Sequence, residues 1–219
     1  MDILTADNLV LTIAVCTDAI NSLEPESESL GVAYLKRGVA NRNLGNFDQS
    51  VIDLEQSLKI LKQNASVMRM LAWTYREMDR TDEAEDLYTD ALRIDDHWQA
   101  RISRCVVRTD LQRFSDALSD CRIAAEKYAI ADDAEGPNID IAFFTAHALN
   151  GLGRYDEAYE AAVSEIKHAD VNGRLYFQAL TALWNGDRRE EVPALLREGL
   201  QRYPDDPDIE YFMKQAGLR

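Results

Sequence analysis

The sequence predicts an all-α fold, a solenoid of about five helix–turn–helix repeats closed by a capping helix at each end. Three observations lead there. A small residue just after an acidic turn recurs at Ser50, Ala84, Ala117 and Ala158, with Glu191 in the fifth slot, at intervals of 34, 33, 41 and 33 residues. A period near 34 is the length of one helical hairpin, which cannot bury its apolar face alone and must stack on a neighbour. Strand-like alternation is rare, and Gly, Asn and Asp clusters fall between stretches with a 3.6-residue period.

The chain reads as one domain, 1–219. Residues 1–29 hold a capping helix, in which Thr12, Cys16 and Ala19 reproduce the spacing of Ser50, Leu54 and Ser57. The repeats span about 30–64, 65–97, 98–128, 139–170 and 172–207. Their helices are expected at 31–43 with 46–61, 65–77 with 81–94, 98–110 with 113–127, 139–150 with 155–168, and 173–184 with 188–202. Gly45-Asn46, Gly153-Arg154 and Gly186-Asp187 end first helices, where Gly takes the left-handed position without strain. Asp48, Asp82, Asp116 and Asp156 open second helices, where a carboxylate meets the positive end of the dipole. The long interval before Ala158 places an inserted loop at 129–138, marked by Asp132, Asp133, Glu135, Gly136 and Pro137. Pro193 should kink the fifth repeat's second helix or delay its start. Residues 208–219 supply the C-terminal cap, with Ile209 and Phe212 or Met213 inward.

Composition narrows the function classes. A net charge of −15 disfavours nucleic acid and anionic membrane surfaces, both of which need a basic face. No run reaches the roughly 18 apolar residues of a membrane span. The first 20 residues lack a positive n-region, so the expectation is a cytoplasmic protein, or a periplasmic one if a signal peptide has been removed. Cys16, Cys105 and Cys121 have no metal-ligand spacing, so no metal site and no cofactor is expected. A bridge between Cys105 and Cys121, on the two helices of one hairpin, stays open. His97, His147 and His168 lie in different repeats without HExxH or a paired carboxylate, and no phosphate loop or nucleophile elbow occurs. Catalysis is not expected.

The repeats carry recurring residues. The second reads Met68, Leu71-Ala72, Tyr75, then Ala84, Tyr88 and Ala91, and the first Tyr34, Gly38, Gly45, Phe47, Ser50, Leu54 and Ser57. The fourth contains GLGRYDEA at 151–158, followed by Ala162, and the third Phe114, Ala117, Cys121 and Ala124. The fifth is weakest, with Ala179, Ala182 and Leu195 but Glu191 and Glu198 where small residues are usual. Over about 30–207 the pattern resembles the tetratricopeptide repeat family. The resemblance implies a right-handed superhelix whose first helices line a concave face that holds partner proteins. It also implies what this chain does not grip: the Lys-and-Asn clamp for chaperone tails is replaced by Leu35 and Val39.

On that frame the first helices of repeats one to three sum to +6, and the rest of the chain to −21. Arg69, Trp73 and Arg76 share one helical face by their i, i+4, i+7 spacing, Arg42 occupies the slot of Arg76 one repeat earlier, and Arg104 and Arg108 lie on the third first helix. These arginines either grip a ligand as bidentate donors or pair with acids on neighbouring second helices. In repeats four and five the corresponding face holds Phe143, His147 and Asn150, then Tyr176, Leu180 and Trp184, with Phe144 and Phe177 expected in the core. The expected ligand is a protein or peptide segment, extended or helical, with acidic and apolar residues. The expected function is a non-catalytic scaffold or adaptor; the alternatives are a self-associating structural protein and a regulatory subunit of an enzyme complex.

Overall fold

In a computed structural model the chain is described over residues 5–132, 136, 138–167 and 173–218. Asp133, Glu135 and Pro137 of the expected loop, and His168, lie outside the described residues. The described residues form twelve α-helices and one 3-10 turn, with no strand. The chain divides into two compact units, Met1–Ser103 and Arg104–Arg219.

The first unit holds α1 (Ala6–Ser22), α2 (Glu28–Asn43), α3 (Phe47–Leu61), α4 (Ala65–Glu77), α5 (Thr81–Ile94) and the start of α6 (Trp98–Asp110). The second holds the end of α6, then α7 (Phe114–Tyr128), α8 (Ile139–Gly151), α9 (Tyr155–Ile166), α10 (Gly173–Asn185), α11 (Val192–Arg202) and α12 (Pro207–Gln215). Within each unit helices pack on their sequence neighbours, and first helices also touch the next first helix, as α2 does α4 and α8 does α10. This is the stacking that the 34-residue period predicts.

One turn is used four times. At the ends of α2, α4, α6 and α8, Gly45, Asp79, Gln112 and Gly153 take positive φ of 79°, 59°, 57° and 71°. In each turn the next residue's N–H donates five residues back: Asn46 to Asn41, Arg80 to Tyr75, Arg113 to Arg108 and Arg154 to Leu149. These paired bonds satisfy carbonyls that the helix end would otherwise leave unmade. Asp79 and Gln112 adopt the conformation without glycine, which is why two of the turns are inconspicuous in sequence. Second helices then begin without a side-chain cap at Arg80 and Arg154; each arginine instead pairs with the glutamate three residues on, Glu83 and Glu157.

The fifth repeat departs from this pattern. Gly186 has no left-handed φ; the chain passes through the 3-10 turn Arg189–Glu191, and Pro193 lies in the first turn of α11. Proline therefore delays the helix rather than kinking it, because its missing N–H is one the first turn never uses. Ser50, Ala84, Ala117 and Ala158 are fully buried, but the fifth buried residue is Val192, not Glu191. The landmark interval there is 34, not 33.

The core follows the small-residue positions. In the first unit Leu54, Val67, Ala72, Ala84 and Ala91 are sealed from solvent. In the second, Leu175, Tyr176, Leu180, Leu183, Val192, Ile209 and Phe212 form one cluster that α12 closes. Cys105 and Cys121, both fully buried, are joined by a disulfide between α6 and α7, which answers the pairing that spacing leaves open.

Candidate interaction site

In the first unit the exposed-side residues of α2 and α4 converge. The Arg42 guanidinium lies 4.1 Å from the Trp73 ring centroid, and its Nη1 donates to Met70 Sδ at 3.4 Å. Its remaining bonds go to the neighbouring Asn43 side chain, and among the described residues no carboxylate forms an ion pair with it. Burial pulls the Arg42 pKa below its ordinary value, with Glu77 and Tyr88 opposing more weakly. Trp73 is 45% exposed and donates from Nε1 to Glu77 Oε1 at 3.1 Å. Arg76 Nη1 approaches the same Glu77 oxygen at 3.7 Å. Arg69 Nη1 donates to Gln99 Oε1 at 3.0 Å, while its buried Nε has no partner.

Tyr88 of α5 is buried and feels the charge of all three arginines. Burial pushes its phenol up to about 12, against opposing influences from Ser103, Arg76, Arg42 and Arg69. Three arginines therefore bear on one buried hydroxyl, with Glu77 at their edge and an exposed indole beside them. An exposed indole under the Arg42 guanidinium suits a ligand carrying both carboxylate and apolar groups.

Arg104 and Arg108 do something else. Arg104 grips Asp120 of α7 with two bonds of 2.8 Å, and Arg108 adds a third of 2.8 Å. Asp120 is 1% exposed. These arginines are committed inside the α6–α7 hairpin, a correction to their assignment as partner-binding residues. The physical reason is register: with Ala117 as landmark, Arg104 and Arg108 fall on the hairpin-facing side of α6. The first repeat repeats the device, with Arg37 gripping the fully buried Asp53 at 3.0 and 2.7 Å and Asn41 donating to the same carboxylate. The sequence left such pairing open without naming the acids; the sixteen-residue spacing shared by Arg37–Asp53 and Arg104–Asp120 was the available signal.

In the second unit Phe143 and His147 share a face of α8, their rings 6.0 Å apart edge to face, and Arg174 caps Phe143 at 4.9 Å. His147 Nδ1 is buried without a partner, and burial lowers the imidazole pKa, opposed by Asp110. Tyr176 is fully buried, with its hydroxyl donating to Glu198 at 3.0 Å, so it belongs to the core and not to the exposed partner-binding face expected from the sequence. The one-residue shift explains this: counting 34 on from Phe143, His147 and Asn150 gives Phe177, Thr181 and Trp184. Those three line a cleft of about 340 Å³ between α10 and α12, with Tyr211 and Phe212 opposite. Trp184 meets Phe212 edge to face at 6.1 Å, and Arg189 lies over its ring at 4.9 Å. Phe177, expected in the core, is one of the cleft's walls.

Among the described residues no group of three or more His, Cys, Asp or Glu side chains could hold a metal ion, and no helix is long and apolar enough to cross a membrane.

Comparison with known proteins agrees with this architecture. Residues 29–97 match the tetratricopeptide repeat family model. No curated protein matches the chain in sequence. Among solved structures, a tetratricopeptide repeat protein from Parabacteroides merdae is similar with a TM-score of 0.79 at 17% identity, covering 97% of this chain and 80% of that one. YrrB, described as a TPR protein with an unusual peptide-binding site, is similar with a TM-score of 0.68 at 19% identity, over 91% of this chain and 97% of its own. The MamA protein is similar with a TM-score of 0.68 at 18% identity, over 80% and 92%. At these identities the likeness is one of fold.

Proposed function

We propose that this chain, a member of the tetratricopeptide repeat family, is a non-catalytic interaction scaffold that holds a segment of a partner protein against the first-helix face of α2 and α4. The observation that carries this reading is Arg42 stacked on half-exposed Trp73 without a carboxylate of its own. A guanidinium held partly out of water by an indole gains from a ligand carboxylate more than a solvated one does, because the site has already lost much of its hydration. Arg69 and Arg76 extend the positive field, and Trp73 offers an apolar anchor of the kind interface hot spots favour. The ligand is thus an acidic peptide segment with at least one apolar side chain. The peptide-binding site ascribed to YrrB is consistent with such a use of the fold.

The test is a selection of displayed random peptides, followed by calorimetry on the winners. Enrichment of sequences pairing Asp or Glu with an aromatic or aliphatic residue, and loss of their binding in Trp73→Ala, supports the reading. Enrichment of basic sequences, or binding indifferent to Trp73, refutes it.

The compartment reading shifts toward an oxidising one. Its support is the buried Cys105–Cys121 bridge, since such bonds persist where thiols are not kept reduced.

A further inference from the structure

α1 carries a face that nothing among the described residues covers. Leu9 and Cys16 are buried against the unit, but Val10, Leu11 and Val15 are 58%, 61% and 58% exposed. Among the described residues the other exposed large apolar side chains of the first unit are Trp73, already placed in the Arg42 face, and Ile52 and Ile94, which stand singly, as is ordinary on a protein surface. Here three fall together on one helix, with exposed Ala14 among them. At 100° per residue, Leu11 and Ala14 flank the centre of the face and Val10 and Val15 its margins, while Asp7 and Asp18 sit on the same line at either end. The two carboxylates are eleven residues apart, roughly 16 Å along the axis. α1 contains no Lys or Arg to neutralise them.

An apolar centre bracketed by two unneutralised acids is a patterned surface, and rimmed apolar patches mark interaction sites. We infer that this outer face of α1 docks a basic amphipathic helix of a partner protein, with aliphatic residues over Leu11 and Val15 and Lys or Arg near Asp7 and Asp18. Charge decides the occupant. A second copy docked through α1 by a two-fold axis would set the same two aspartates against their own mates, and a chain of net charge −15 adds to the repulsion. A basic helix meets attraction at both ends. This surface is separate from the Arg42–Trp73 face, and its ligand has the opposite charge.

The probe is a labelled synthetic helix of about five turns, with Leu along one stripe and two Lys spaced about eleven residues apart, and its Glu-for-Lys counterpart. Fluorescence anisotropy should show binding of the Lys peptide that weakens with salt, and no binding of the Glu peptide. Leu11→Ser should weaken binding about tenfold, because an exposed leucine covered by the ligand is lost. Asp7→Asn with Asp18→Asn should weaken it several-fold and flatten the salt dependence. Trp73→Ala should leave it unchanged, which separates this face from the one above. Since Leu11 is mostly exposed, Leu11→Ser should keep the wild-type melting curve, and Val15→Ser serves as the second variant. Equal binding of both peptides, indifference to Leu11 and Val15, or a concentration-dependent doubling of mass abolished by Leu11→Ser would overturn the inference.

Discussion

The Arg42 guanidinium lies 4.1 Å from the ring centroid of Trp73, linking the end of α2 to the middle of α4. One contact thus ties two successive first helices and leaves a charged, aromatic surface outward. A cation–π contact of this kind contributes about 0.5–2 kcal/mol depending on exposure. Arg42→Ala and Trp73→Ala should each lower affinity for an acidic–apolar peptide about tenfold, near 1.4 kcal/mol. The double variant should lose less than the sum. A double-mutant cycle by calorimetry, alongside thermal melts, reads the coupling; strict additivity would mean the two side chains act independently.

Asp120 should matter for folding and not for partner binding. Asp120→Ala removes the buried carboxylate that Arg104 and Arg108 share in the α6–α7 hairpin and should cost roughly 3 kcal/mol in urea unfolding. Asp53→Ala should behave alike through Arg37. Peptide affinity of the folded fraction should not change in Asp120→Ala, and a selective loss of affinity would return Arg104 and Arg108 to the binding face.

Gly151 ends α8 against Phe114 of α7. A Cβ there would stand 2.6 Å from the aromatic ring, closer than carbon atoms tolerate. Gly151→Ala gains helix propensity of about 1 kcal/mol but must displace a packed ring. Overpacking of this sort costs about 1–3 kcal/mol, so a modest net loss of stability is expected. Denaturant midpoints check it, and Phe114→Leu in the same background should recover part of the loss.

His147 gives an acid sensitivity. Burial holds its pKa below the ordinary value, so the folded chain keeps it neutral where the unfolded chain, near 6.5, takes up a proton. Its contribution is complete above about pH 6.5 and declines as pH falls toward the folded-state value. Urea midpoints at neutral and mildly acidic pH should converge in His147→Gln relative to wild type. An unchanged pH dependence in that variant would show that other groups carry it.

The Cys105–Cys121 bridge closes a sixteen-residue separation, for which the chain-entropy model gives about 3 kcal/mol. Replacing both cysteines with alanine should lower unfolding stability by about that amount. Thiol titration of the denatured, unreduced protein should find one thiol per chain, Cys16. Three thiols would exclude the bridge.

Helix positions were legible because amphipathic period and turn residues are local. The hairpins expected at 65–77 with 81–94, for example, match α4 and α5 to the residue. Which side chains stand exposed was less legible, since a one-residue change of register moves a side chain from core to surface. Tyr176 and Phe177 exchanged places for that reason, once Val192 rather than Glu191 took the buried slot. The exposure of Trp73 was readable because its repeat has its landmark in place, with Ala84 sealed.

What the sequence by itself determined was the repeat: its length, its helices and the small residues at their crossings, all consequences of burying one face of each helix. What the tertiary structure decided was the fate of the charges. Arg42, Arg104 and Arg108 all lie on first helices, yet Asp120 meets two of them inside a hairpin while Arg42 rests on an indole. Which partner a long side chain finds depends on the separation of helices, and no local pattern records that distance.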